Sequence, residues 1–262
     1  MRRALHAEWI RVGGRRLALW LALAALASMI GGALIAFIIN GVAEAGGTPN
    51  AVEQQTFVLS RGTVTILLVS IVTALAVGNH FRFSTILAVA LAVPRRPFMM
   101  LAIAVPQLCI AALIAFVSAI AALLGATLLR GPELLSLTIV GELSVHMLGA
   151  VIAAAWACAI VFVTRSFAVS LVIVVAWPSL IEPLIAGGIS TLAPEAGALA
   201  LIAQPYTALR TIGESFAVER TLMAATTTEQ FLSAVGVVGI WTTALAGAAL
   251  LRTMRSSAVV SR

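Results

Sequence analysis

Residues 97–129 read PFMMLAIAVPQLCIAALIAFVSAIAALLGATLL, thirty-three positions without a charged side chain, held between Arg96 and Arg130. The hydrocarbon core of a bilayer is about 30 Å thick and is crossed by about 20 apolar residues in helical conformation. This run therefore predicts a membrane span with length to spare, the excess taken up by tilt or protrusion. Pro106 lies inside it and predicts a kink, because proline removes one backbone hydrogen bond and crowds the preceding turn.

Working outward, further charge-free stretches cover residues 17–43, 62–81, 143–164, 166–181 and 230–251. Together they predict an all-α, polytopic membrane protein with six spans, near Leu17–Asn40, Gly62–Val77, Met99–Leu129, Leu134–Val163, Phe167–Gly188 and Phe231–Leu251. Composition agrees: 61% of residues are hydrophobic and 10% charged, against about 25% charged in soluble domains. The chain reads as one transmembrane domain, with residues 1–16 an interfacial helix, 17–251 the bundle and 252–262 a tail. The first apolar run exceeds 20 residues, too long for the 7–15-residue core of a secretory signal, so it reads as an uncleaved anchor.

Between the third and fourth spans, Arg130-Gly131-Pro132-Glu133 combines two helix breakers with two charges and predicts a turn at a water interface. The segment 189–230 holds a shorter apolar run, Gly197–Ala203, flanked by Pro194 and Pro205. It is too short to span and reads as re-entrant or interfacial. All sixteen basic residues are arginine. With both termini cytoplasmic, twelve arginines fall inside and four outside (Arg61, Arg130, Arg210 and Arg220), the asymmetry that cytoplasmic loops carry. The expected location is a plasma (inner) membrane, crossed several times.

The connection between the second and third spans reads Gly78-Asn79-His80-Phe81-Arg82-Phe83-Ser84-Thr85-Ile86-Leu87-Ala88-Val89-Ala90-Leu91-Ala92-Val93-Pro94-Arg95-Arg96-Pro97. It is apolar yet bounded by arginines, with Ser84 or Thr85 placed to cap a short helix that Pro94 ends. Near the start of the chain, Ala4-Leu5-His6-Ala7-Glu8-Trp9-Ile10-Arg11 places Leu5, Trp9 and Val12 on one helical face flanked by arginines, as an interface-lying helix requires.

In these two stretches the chain resembles the ABC-2 family of transporter permeases. Their second and third spans are joined by a pattern like G-x-E-Y-R-x-G-T-I, then apolar residues, then P-R-R; many open on S-E-W-x-K. Gly78, Phe81, Arg82, Thr85, Ile86, Leu91, Pro94, Arg95 and Arg96 match, whereas His80 stands where glutamate is usual and Ser84 where glycine is usual. The resemblance extends in layout over the whole chain. It implies that Phe83–Val93 docks on a separate ATPase subunit, with Arg82, Phe83, Thr85, Ile86, Leu87, Ala90, Leu91, Pro94, Arg95 and Arg96 as coupling residues. It further implies a pair of permease chains, identical or different, driving export with ATP and magnesium held by the partner. A plain interfacial connector touching lipid headgroups is the alternative for this segment.

Absences sharpen the reading. A P-loop needs a lysine on the phosphates, and the chain contains none. If ATP drives the protein, its hydrolysis belongs to another polypeptide, and the chain itself reads as no enzyme. Neither H-E-x-x-H nor G-x-S-x-G occurs. Cys109 and Cys158 both lie in apolar runs and lack the spacing of a zinc site. The arginines are scattered rather than arrayed in one stripe with aromatics, which argues against nucleic acid.

Ionisable residues inside spans are costly and usually face protein or a water-filled cavity. Glu142 and His146, four apart on the fourth span, and Glu182, between Pro178 and Pro183 on the fifth, are therefore candidates for a translocation path. Used as proton sites, they would instead suit an ion-coupled secondary transporter. The bland alternative sets Glu142 at the outer interface and pairs Glu182 with backbone opened by the prolines.

Overall fold

The computed structural model describes residues 15–44, 63–83, 85–93, 95–130, 139–192, 202–218 and 228–255. The helices are α1 (Arg15–Glu44), α2 (Thr63–Arg82), α3 (Ile86–Ala92), α4 (Arg96–Arg130), α5 (Ile139–Thr164), α6 (Phe167–Ala176), α7 (Glu182–Leu192), α8 (Pro205–Val218) and α9 (Thr228–Arg255). Among the described residues there is no strand. Among the described residues, six helical segments are long and apolar enough to cross a membrane: α1, α2, α4, α5, the run from α6 into α7, and α9. The protein is an all-helical, multi-pass membrane protein.

The span boundaries differ from expectation in instructive ways. α2 runs five residues past Val77 because His80 is buried and Phe81 meets Phe162 edge-on at 5.9 Å, so packing carries the helix through polar Asn79 and His80. α4 continues through Pro106 as one helix. The fifth span accommodates Pro178 with a π-helical turn, Trp177–Ile181, joining α6 to α7. Proline lacks the N–H an α-helix would use there, and a π-turn is a common way to absorb the lost bond. The helix at Pro205–Val218 was not anticipated in the 189–230 segment. The expected interfacial helix over 1–16 lies outside the described residues except for Arg15 and Arg16, which begin α1, and the expected turn at Arg130–Glu133 does so except for Arg130, which ends α4.

Three spans, α2, α4 and α5, bury about half their residues, and the others lie against them. α1 crosses α4 where both helices carry glycine: a Cβ at Gly32 would strike the Ala122 carbonyl, and one at Gly125 the Met29 carbonyl. Small residues at such crossings let backbones approach and gain dispersion contacts, the main attraction between helices already immersed in lipid. A second close approach joins α2 to α6, where a Cβ on Gly78 would lie 2.8 Å from the Phe167 ring.

α5 turns into α6 through only Arg165 and Ser166. Arg165 adopts a left-handed conformation (φ 54°), and its N–H donates to the Val161 carbonyl at 2.8 Å, closing the end of α5. Ser166 caps α6 by accepting from the Val169 N–H. Ser170 donates to the Ser166 carbonyl and meets the Thr164 hydroxyl, each at 2.6 Å, so the hairpin is bonded from both sides.

Candidate functional site

One end of the bundle gathers Arg82, Arg95, Arg96, Arg165, Arg252 and Arg255, and two of these arginines bind a neighbouring helix terminus. Arg96 donates to the Thr253 carbonyl at 2.6 Å, and Arg165 to the Arg252 carbonyl at 2.9 Å. The last carbonyls of a helix have no partner within it and carry the negative end of its dipole, so guanidinium groups from other segments satisfy both needs. Burial, then the Arg252 charge, then the Arg96 charge hold Arg165 below the ordinary arginine range.

At this same end α3 sits between α2 and α4, outside the spans. Thr85 stands at its N-terminus in helical conformation and makes no side-chain cap. This corrects the expected role: its hydroxyl instead lies 3.1 Å from Nδ1 of His80, tying α3 to the end of α2. Ser84 and Pro94 lie outside the described residues. Val93 has left the helical region (φ −132°, ψ 87°), from which a following proline drives it, and is buried in the core.

The coupling candidates divide by face. Ile86, Val89 and Ala90 pack against a core cluster that includes Val93 and Met99. Phe83, Leu87 and Leu91, spaced by four, are 63%, 65% and 87% exposed. Arg82 lies over the rings of Phe83, at 5.3 Å, and Phe167, at 5.8 Å, positions suited to cation–π attraction. Arg95 is exposed, while Arg96 is committed to α9.

Of the ionisable span candidates, Glu182 and His146 have described side chains, and they are held differently. Glu182, 3% exposed, accepts from the N–H of Tyr206 at 2.8 Å, the N–H of Thr207 at 2.9 Å and the Thr207 hydroxyl at 2.8 Å. Pro205 opens α8, so Tyr206 and Thr207 carry the unpaired amides of its first turn. Glu182 thus caps α8 from another span, with both oxygens engaged. The bonds run to a different segment and not to backbone opened beside Pro178 or Pro183. His146 sits on α5 with Nε2 buried and unbonded. Glu142 belongs to the same helix, but its side chain lies outside the described residues.

Beside this cap, Trp156, Trp177, Tyr206 and Trp241 wall an apolar crevice of about 220 Å³ between α5, α6, α8 and α9. Trp156 meets Tyr206 edge-on at 5.3 Å, and Trp177 meets Trp241 at 5.3 Å. Trp156 Nε1 donates to the Thr242 hydroxyl at 2.9 Å and Trp241 Nε1 to the Ile202 carbonyl at 2.7 Å, fixing two of the walls. Among the described residues, no group of His, Cys, Asp and Glu could hold a metal.

Comparison with family models, curated proteins and solved structures gives no match. The residues of this chain therefore carry the functional reading by themselves.

Two features escaped the sequence reading. Glu182 as a remote cap left one trace: Gln204, a poor N-cap type, precedes Pro205, so the first amides of α8 need an acceptor from elsewhere. The aromatic crevice left none, since Trp156, Trp177 and Trp241 occur singly in three separate apolar runs.

Proposed function

We propose that the chain is the membrane-spanning permease subunit of an ATP-driven exporter of the ABC-2 type, paired with a second permease chain and served by separate ATPase subunits. The observation that carries this reading is α3, a short helix outside the spans, anchored inward by Ile86, Val89 and Ala90 and presenting Phe83, Leu87 and Leu91 outward. An exposed apolar row beside arginines, at the non-lipid end of a bundle, suits a protein partner. The motif resemblance over residues 78–97 says which partner to expect.

In this reading both termini and α3 lie in the cytoplasm of a cell whose plasma membrane the chain crosses. The run Gly197–Ala203 is re-entrant in this reading. Support comes from its end and the residues that follow it: the Ile202 carbonyl accepts from Trp241, Pro205 lines the crevice with Trp156, and the Tyr206 N–H donates to Glu182. ATP and magnesium bind the partner; closure of the ATPase pair pushes on Phe83, Leu87 and Leu91. Because Thr85 is bonded to His80, and Arg82 lies over Phe167, the push reaches α2 and α6 together. The path between two permease chains then opens to the other side, and the cargo shifts the balance only by its differential affinity for the two states.

Substitution on the two faces of α3 tests the reading. Leu91→Asp is expected to insert and fold normally while losing its copurifying ATPase and ATP-dependent transport, because a charge enters an apolar contact. Ile86→Asp is expected to lower the thermal stability of the bundle itself. Full ATPase binding and transport by Leu91→Asp would remove the coupling role of α3 and, with it, the permease assignment.

A further inference from the structure

The geometry points to a binding site for an anionic phospholipid, with one acyl chain in the aromatic crevice and the headgroup phosphate at Arg165 and Arg252. The site is independent of ATPase coupling and rests only on the chain's crossing a membrane.

The crevice wall is entirely apolar, although Trp156, Trp177, Tyr206 and Trp241 surround it. At about 220 Å³ it exceeds the ~150 Å³ apolar cavity that stays dry and accepts a benzene-sized ligand. It is not sealed, and a half-open apolar space in a membrane protein meets hydrocarbon rather than water. Two helices lead from it to the arginine end. On α5, Trp156, Ile160, Val163 and Thr164 share a face, and Arg165 follows directly. On α9, Trp241 and Leu245 line the crevice, and Arg252 lies on the same face at helical spacing. From Trp241 to Arg252 the helix rises about 16 Å, close to half of the ~30 Å hydrocarbon thickness, the reach of one leaflet. An acyl chain seated beside the tryptophans therefore brings its headgroup level with Arg252.

Charge selects the headgroup. The charges acting on Arg165 are those of Arg252 and Arg96, both positive. The Arg252 side chain is exposed, because its backbone carbonyl and not its guanidinium serves Arg165. Two close guanidinium groups that repel each other gain most from a shared anion, and a phosphodiester offers oxygens to both. Zwitterionic lipid presents the same phosphate neutralised by an ammonium or choline, so it gains less.

Tryptophan quenching by lipids brominated on their chains tests the site. In a Trp9→Phe, Trp20→Phe background the three remaining tryptophans all line the crevice. The protein is reconstituted in unbrominated phosphatidylcholine carrying a small fraction of brominated phosphatidylglycerol or brominated phosphatidylcholine. The phosphatidylglycerol is expected to reach half-quenching at a fraction about fivefold lower or better, as attraction to two basic residues predicts. Arg252→Gln, which leaves the backbone carbonyl for Arg165, is expected to abolish most of that preference with the protein still folded. Ile160→Phe fills the crevice and is expected to weaken quenching by both lipids. Equal quenching by the two lipids, a preference that survives Arg252→Gln and Arg165→Gln, or unchanged quenching in Ile160→Phe would each overturn the proposal.

Discussion

A carboxylate buried in a membrane span is costly unless its oxygens are satisfied, and Glu182 spends both of its oxygens on one helix start. Three hydrogen bonds donated by Tyr206 and Thr207 offset its burial, and its oxygens are the acceptors that Gln204 does not supply. Removing the acceptor strands two amide donors at depth, each worth about 1–3 kcal/mol. Glu182→Ala is therefore expected to destabilise the protein by about 2–6 kcal/mol, read as a lower thermal midpoint in detergent. Glu182→Gln keeps one carbonyl acceptor and should fall between the two. A wild-type midpoint for Glu182→Ala would show that water replaces the carboxylate.

Among elements, α3 shows how a seven-residue helix, far below the length at which isolated helices persist, is held in place. Ile86, Val89 and Ala90 pack on the bundle, Val93 is buried at its end, and the Thr85–His80 contact ties its start to α2. Thr85→Val keeps the side-chain volume and removes the hydroxyl. It should loosen α3 alone by about 1 kcal/mol, seen as faster amide exchange over 86–92 with the exchange of α4 and α5 unchanged. Uniformly faster exchange would mean that the contact holds the bundle and not the element. His80 stands where the resemblance leads one to expect glutamate; its ring supplies a partner for Thr85, so one link between α2 and α3 survives the difference.

Across the described residues, the packing is asymmetric: α2, α4 and α5 form the inner part, and α1, α6–α7 and α9 leave most of their apolar surface uncovered by the rest of the bundle. The arginine end is fastened by Arg96 and Arg165 on the last turn of α9, joining the third, fourth and sixth spans. If that end is cytoplasmic, a cysteine placed at position 50 of a cysteine-free variant is labelled from outside intact cells, and one at position 258 only after permeabilisation. Labelling of both from outside would break the six-span topology, and labelling of 258 alone would invert it.

The spans, their number and the position of the charged end were legible without coordinates. Apolar runs of 20 residues have one stable solution in a bilayer, where every backbone group must be bonded internally. The face of α3 that stays free was only half legible: Leu87 and Leu91 were named, but Ile86 and Ala90 beside them turn inward. A short apolar helix has no polar side to declare which way it faces. The cap of α8, the arginines on α9 and the aromatic crevice were decided by tertiary structure alone. The cap and the arginine contacts join residues 24, 25, 87 and 157 positions apart and the crevice joins rings from separate helices, and local periodicity records which face of a helix is apolar, not which neighbour that face will meet.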